Sequence, residues 1–300
     1  MSTIDDLGAA VAAVAASTGS SVVSIGRNAR GSGVVVADGQ VLTNAHNLRG
    51  SEVTVTFADG RSTVGAVAGV DADGDLAVIK VDTTGATALA WGDGDGLAVG
   101  TPVFGAAATV GAGVRVTFGL VSAVSRAFRG PGGRRIAGSV EHTAPMAPGS
   151  SGSALLDGTG KLVALNTNRI GEGFYLALPA DAALKARVDA LGRGEMPERP
   201  RLGVAIAPNH VARRLRRSVG LAERDGVLVR GVEDESLAAT AGIEAGDLIV
   251  SAGGKPIADG DDLFDALGSL KPPFELGLVR GSEERTVNVG APKGRTPGQA

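Results

Sequence analysis

The sequence contains no cysteine, which excludes disulfides, thiol nucleophiles and thiolate metal sites together. That absence is compatible with any compartment. Aromatic residues make up only 3% of the chain, so Val, Ala, Leu and Ile must fill whatever cores form. Histidine occurs three times, which makes elimination practicable in the search for a catalytic base. Near the N-terminus the apolar run Leu7 to Ala16 spans ten residues, far short of the roughly 20 a membrane helix needs. Asp5 and Asp6 stand before it where a secretory signal would carry Lys or Arg. The run reads as an Ala-rich helix within residues 1–20. The chain as written is expected to be soluble and without an export signal: cytoplasmic as it stands, periplasmic or otherwise extracytoplasmic if a signal was removed. Charge of either sign is not in excess, with a formal net charge of −3, so there is no bulk reason to expect nucleic acid or an anionic membrane as partner.

At 300 residues, with 43% apolar and 20% charged residues, the chain has the length and composition of two soluble globular domains. From about residue 21 the pattern is one of short β-type runs between Gly and Asp turns, such as Gly33–Ala37, Val41–Thr43, Glu52–Phe57, Ala77–Val81, Val114–Val124 and Lys161–Asn166. Such spacing predicts an antiparallel barrel or sandwich, with hairpins at Asp38-Gly39 and Asp59-Gly60. Helical periodicity follows only at Pro179–Leu191. Residues 192–201, rich in Gly, Pro and charge, read as a linker. Residues 202–290 mix strands with helices, an α+β pattern, and residues 291–300 read as a flexible tail.

The chemistry centres on Ala147-Pro148-Gly149-Ser150-Ser151-Gly152-Ser153, a turn leading into the apolar run Ala154-Leu155-Leu156. A serine hydroxyl beside converging backbone N–H groups can attack a carbonyl and hold the oxyanion, although a Gly-Ser turn is by default only a loop. The base should be a histidine. His210 lies beyond the linker, His142 lies in the run towards the serine turn, and His46 ends a strand among small residues that leave room for a substrate. His46 is therefore the candidate, against the ordinary role of a structural or solvated histidine. Asp75, placed directly before the apolar strand Leu76–Lys80, is the candidate orienting carboxylate. The same segment mimics a calcium loop, but Leu76 and Asp82 occupy positions that require Gly and Glu. The order His46, Asp75, Ser151 is that of chymotrypsin-type proteases rather than α/β-hydrolases, and Ser153 breaks the hydrolase elbow pattern.

These residues resemble the HtrA/Deg family of trypsin-like serine proteases with a C-terminal PDZ domain. The resemblance rests on Gly31-Ser32-Gly33-Val34-Val35-Val36, Thr43-Asn44-Ala45-His46, Asp75-Leu76-Ala77-Val78-Ile79-Lys80, Gly119-Leu120-Val121-Ser122-Ala123, Pro148-Gly149-Ser150-Ser151-Gly152, and, further on, Arg201-Leu202-Gly203-Val204 and Ala241-Gly242-Ile243-Glu244-Ala245-Gly246-Asp247. It implies a mainly β fold, a chymotrypsin-like double β-barrel over residues 21–191 followed by a small α+β PDZ domain. It implies Ser151 as nucleophile, His46 as base and acid, Asp75 as orienting carboxylate, and an oxyanion hole made by the N–H groups of Gly149 and Ser151. The edge strand Leu202–Ile206 would add a peptide C-terminus, with Leu202, Gly203 and Val204 receiving its carboxylate. No cofactor or metal is implied. A homotrimer is the family's usual state, although residues 1–30 lack the aromatic contacts it uses.

The sequence departs from the family pattern at Asn47, Thr143, Ser150 and Ser153. Thr143, with the absence of the usual glycine-asparagine-proline near Phe104–Ala108, bears on specificity, whereas Ser150 and Ser153 should leave the oxyanion hole intact, and Ser150 argues against activation by zymogen cleavage. The pocket for the residue before the cut should be walled by Thr143–Pro148 and Leu165–Ile170, which contain no acid, so a small or medium aliphatic residue is expected there. Arg213, Arg214, Arg216 and Arg217 read as a solvated helix face, and Gly92-Asp93-Gly94-Asp95-Gly96 lacks the lysine and helix of a phosphate loop. The expected function is ATP-independent cleavage of unfolded polypeptides in protein quality control. The alternative is a catalytically silent, PDZ-bearing peptide binder or holdase.

Overall fold

Short Val- and Leu-rich runs closed by Gly and Asp turns become the strands of two barrels in the computed structural model. The structure describes residues 2–27, 30–109, 113–130, 135–196 and 201–290, and the chain divides into two units, Met1–Pro197 and Glu198–Ala300. The expected tail, residues 291–300, lies outside the described residues.

In the first unit, β1 (Val22–Ile25), β2 (Gly31–Ala37), β3 (Gln40–Thr43), β4 (Glu52–Thr56), β5 (Ser62–Asp71) and β6 (Leu76–Lys80) close into a barrel in the order β1-β2-β3-β6-β5-β4. Asp38-Gly39 turns β2 into β3, and Asp59-Gly60 lies between β4 and β5. A second barrel joins β7 (Pro102–Ala108), β8 (Val114–Arg129), β9 (Arg135–His142), β10 (Ala154–Leu156), β11 (Leu162–Arg169) and β12 (Tyr175–Pro179) in the order β10-β11-β12-β9-β8-β7. Successive residues of a strand point to opposite faces, and in β1, β2, β3 and β6 of the first barrel both faces are buried. Val22, Val34, Leu42, Leu76 and Val78 join a core shared with Phe104, Leu156, Leu162 and Leu176 of the second barrel, while Val23, Ile25, Val35, Val41 and Ile79 form a separate cluster. That is why these strands read as unbroken apolar runs and not as alternating ones.

Helix α1 (Thr3–Thr18) starts with a capping box in which Ser2 and Asp5 satisfy each other's backbone N–H groups, and it buries Val14 and Thr18. Helix α2 (Ala182–Gly192) is capped by Asp181, whose side chain accepts the Leu184 N–H. The helix therefore begins later than periodicity suggests, and Pro179 belongs to β12. The linker expectation also starts too early. Gly192 is helical, and the Gly194 and Glu195 N–H groups return to Leu191 O and Ala190 O at 3.0 Å each, the Schellman pattern that closes a helix. Residues 197–200 of that expected linker lie outside the described residues.

The second unit is a mostly antiparallel sheet of β13 (Val204–Ile206), β14 (Val227–Val232), β15 (Leu248–Ala252), β17 (Phe274–Arg280) and β18 (Glu283–Val289), with β16 (Lys255–Pro256) paired to β15. It carries α3 (Asn209–Ser218), α4 (Leu237–Thr240) and α5 (Gly260–Ser269). Asp247 is 1% exposed, and Arg280 binds it with Nε at 2.7 Å and Nη2 at 2.9 Å. Burial alone would raise its carboxyl pKa, and the guanidinium reverses that, holding it below the usual range. On α3, Arg213 and Arg217 pair with Asp225 and Glu223, and Arg216 is buried with Nε on the Ala222 carbonyl. Neighbouring acids thus absorb two of the four arginines of the basic run, and a backbone carbonyl takes a third. No described helix is long and apolar enough to cross a membrane.

Leu184 is 1% exposed and joins α2 to the shared core. Leu184→Ala should remove about 3 kcal/mol of stability from the first unit. Urea unfolding followed by the fluorescence of the single tryptophan, Trp91, which bridges to Leu162, measures that loss.

Candidate active site

Asp75 stands at the end of the turn before β6 with φ of +55°, a left-handed conformation that aspartate tolerates better than most residues. The residue is 1% exposed, and a carboxylate so buried must be met by donors. His46, in the short turn Ala45–Asn47 after β3, donates its backbone N–H to Oδ1 at 3.1 Å and brings Nδ1 within 2.9 Å of both oxygens. From the second barrel, Thr167 Oγ1 donates to Oδ2 at 2.8 Å. Asn44 Nδ2 donates to the Asp75 backbone carbonyl at 3.0 Å. A carboxylate only accepts, so the His46–Asp75 contact puts the ring proton on Nδ1 and leaves Nε2 of the neutral imidazole as an acceptor. The His46 side chain is 27% exposed.

The serine turn is built from its sequence. The Ser150 N–H donates to Ala147 O at 3.1 Å, and Gly149 has φ of +86°. Proline second and a positive-φ glycine third is the type II combination. Gly152 also has positive φ, at +84°, and a Cβ there would run into the Ser32 carbonyl. The carbonyls of the turn are held from the first barrel. Ser151 O accepts from the Ser32 N–H at 2.8 Å and from Asn47 Nδ2 at 2.9 Å, and Gly149 O accepts from Ser32 Oγ at 3.0 Å. The N–H groups of Gly149 and Ser151 donate to no acceptor among the described residues.

The structure therefore joins His46 to Asp75 and ties the Ser151 turn to Asn47, the neighbour of His46. It does not hydrogen-bond Ser151 to His46: Ser151 Oγ donates to the Thr167 carbonyl at 3.0 Å. Hydrogen bonds between catalytic groups are often long or misaligned before substrate binds. Beside the turn lies a cavity of about 270 Å³ whose lining includes Met146, Pro148, Ser151, Asn168, Arg169 and Tyr175 and no carboxylate. No cluster of His, Asp and Glu among the described residues is arranged to hold a metal ion.

Sequence reasoning overlooked Ser32, Thr167 and Asn166, and it treated Asn47 only as a departure from pattern. Each acts on a partner far away in sequence. Asn166 receives the Gly152 N–H on its carbonyl at 2.8 Å and gives its own N–H to Ser153 O at 2.9 Å. Its side-chain oxygen lies 2.7 Å from Nε2 of His142, which is fully buried. Burial pushes the His142 imidazole down to about 4, against the opposing pull of the Asn166 bond and the Glu141 charge. In the second unit, Leu202 is 4% exposed and Gly203 has φ of +77°, and Val204 opens β13, the edge strand of its sheet. The carbonyls of Leu202 and Gly203 accept the Ala238 and Glu233 N–H groups at 2.9 Å each.

Residues 31–165 match the trypsin-like peptidase domain and residues 228–280 match the PDZ domain. A Synechocystis protein named as serine protease HhoA is 33% identical over 286 residues, covering 89% of this chain and 72% of the relative. The chain belongs to the HtrA/Deg family of trypsin-like serine proteases. A DegP-like periplasmic serine endoprotease of Halomonas elongata is 31% identical over 272 residues, covering 88% of this chain. The chain spans 56% of that relative's length. Among solved structures, the HtrA-type protease AlgW with a decapeptide superposes with a TM-score of 0.75 at 25% identity, over 94% of this chain and 97% of the other.

The depressed His142 pKa has a sign that can be tested. An unfolded histidine takes up its proton near 6.5, whereas the folded one does so near 4. The associated stability is therefore complete above pH 6.5 and is lost progressively as pH falls to 4. The loss should be about 3 kcal/mol, seen as a falling urea midpoint by Trp91 fluorescence and flattened in His142→Gln.

Proposed function

We propose that the chain is an ATP-independent serine endopeptidase that cleaves unfolded or damaged polypeptides in protein quality control. Ser151 is the nucleophile, His46 the general base and then acid, and Asp75 the orienting carboxylate. The observation that carries this reading is the Asp75–His46 pair, with both carboxylate oxygens 2.9 Å from Nδ1, in the same unit as a serine turn with two uncommitted N–H groups. Rotation about the Ser151 Cα–Cβ bond releases Oγ from Thr167 towards His46. Oγ then attacks the scissile carbonyl carbon as Nε2 takes its proton, and the tetrahedral oxyanion receives the Gly149 and Ser151 N–H groups. Imidazolium formed beside Asp75 returns the proton to the leaving amine, and water hydrolyses the acyl-serine by the same steps in reverse order.

The apolar cavity beside the turn, with Arg169 among its lining residues, suits a small or medium aliphatic side chain before the cut and disfavours Lys or Arg. In the second unit, the edge position of β13 suits strand addition by a peptide C-terminus, its carboxylate received at Leu202, Gly203 and Val204. The Ser151–Thr167 hydrogen bond favours a second reading, a catalytically silent peptide binder.

Casein cleavage and fluorophosphonate labelling separate the two. The first reading expects labelling at Ser151 and a loss of cleavage of roughly 10⁴-fold or more in Ser151→Ala. A protein that binds peptides but is never labelled at Ser151 would be the silent binder. In a peptide library, cuts should follow Val, Ala or Leu, and cuts mainly after Lys or Arg would refute the pocket assignment.

A further inference from the structure

His142 is the one fully buried imidazole of the first unit, and the chemistry proposed for Ser151 and His46 makes no use of it. Its Nδ1 has no hydrogen-bond partner, an expensive position for a polar atom, so what its other nitrogen does matters. Asn166 Nδ2 lies among three oxygens, Ser153 O at 3.4 Å, Ser153 Oγ at 3.0 Å and Ala154 O at 3.1 Å. That surrounding orients the amide, so its oxygen faces His142 and accepts. The proton therefore sits on Nε2, and Nδ1 is the bare nitrogen. The ring is held in place by Tyr175, with centroids 5.7 Å apart and planes 27° from parallel.

We propose that His142 is a positioning residue for the nucleophile turn, acting through Asn166 to fix the backbone that follows Ser151. The inference rests on the assignment of Ser151 as nucleophile. Without the Nε2 donor, Asn166 Oδ1 becomes a buried acceptor with nothing to accept from. An amide that rotates to find a donor withdraws Nδ2 from Ser153 and Ala154. Those residues directly follow Gly152, so their looseness is transmitted to the N–H groups of Gly149 and Ser151. Ser153 takes part through its hydroxyl, which a glycine at that position would lack.

Two variants of the full chain test this. His142→Leu keeps the volume and removes the donor. His142→Gln places its own Nε2 close to the position of the ring nitrogen. In His142→Leu, fluorophosphonate labelling of Ser151 and kcat should fall about 10-fold or more with KM changed little, the loss expected for one mispositioned hydrogen bond. Hydrogen exchange of the Gly152 and Ser153 amides should accelerate by a similar factor. In His142→Gln both readouts should return to within about 3-fold of wild type. Equal labelling and exchange in His142→Leu and wild type would overturn the proposal, as would a His142→Gln variant as impaired as His142→Leu. If wild type itself is not labelled, the nucleophile assignment fails, and the exchange comparison still decides whether His142 orders the turn. Should His142→Leu fail to fold, Asn166→Asp, which removes the amide donor and keeps an acceptor, takes its place under the same criteria.

Discussion

The buried carboxylate of Asp75 is the constraint on which the rest of the protease unit depends. At 1% exposure it has almost no water to solvate it, and an unpaired charge in such a place would cost more than a fold of ordinary stability can absorb. Its donors come from two barrels: the ring and backbone N–H of His46 from the first, the Thr167 hydroxyl from the second. The carboxylate thus stitches the barrels at the point where chemistry is proposed to occur. The orientation of the imidazole is a consequence of satisfying the charge, which is why the site and the packing are the same problem.

The serine turn is constrained in the complementary way, through its carbonyls. Ser32 and Asn47 take Ser151 O, Ser32 also takes Gly149 O, and Asn166 pairs with Gly152 and Ser153. Types I and II differ in the orientation of the central peptide, so the type II geometry sets which way the Gly149 N–H points. The Gly149 N–H lies on that central peptide, and the Ser151 N–H shares its peptide with Ser150 O, which accepts the Ser153 N–H at 3.0 Å. The oxyanion hole proposed for these two N–H groups uses no dedicated side chain.

Much of this was legible in the sequence, and what was not shares one cause. His46, Asp75 and Ser151 stand out because each sits at a recognisable junction, a strand end, a pre-strand acid and a Pro-Gly turn. Thr167 and Asn166 sit mid-strand in Leu162–Arg169, where nothing local separates a hydroxyl that reaches Asp75, 92 residues away, from one that merely fills a strand. Asn47, marked in the sequence only as a departure from pattern, holds the Ser151 carbonyl across 104 residues. Strand β8 outran its expected end, continuing through Ser125–Arg129 with register shifts against β9 and a positive φ at Ser125, and buries Phe128. Helix boundaries moved for reasons of capping, at Asp181 and Gly194, that periodicity alone does not register.

The hydroxyl of Ser151 bonds to Thr167 O in this structure, and the consequence for reactivity is smaller than it looks. Turning it towards His46 exchanges one neutral hydrogen bond for another, a change on the order of 1 kcal/mol. Flipping the Gly149 peptide would be different in kind. It would turn the type II turn into type I, which keeps the Ser150–Ala147 bond, and would withdraw one of the two proposed oxyanion donors, each typically worth 10²–10³-fold in rate. Any device that switches this site therefore has more leverage on the backbone of the turn than on the serine rotamer. The contacts from Ser32, Asn47 and Asn166 are where such leverage would have to be applied.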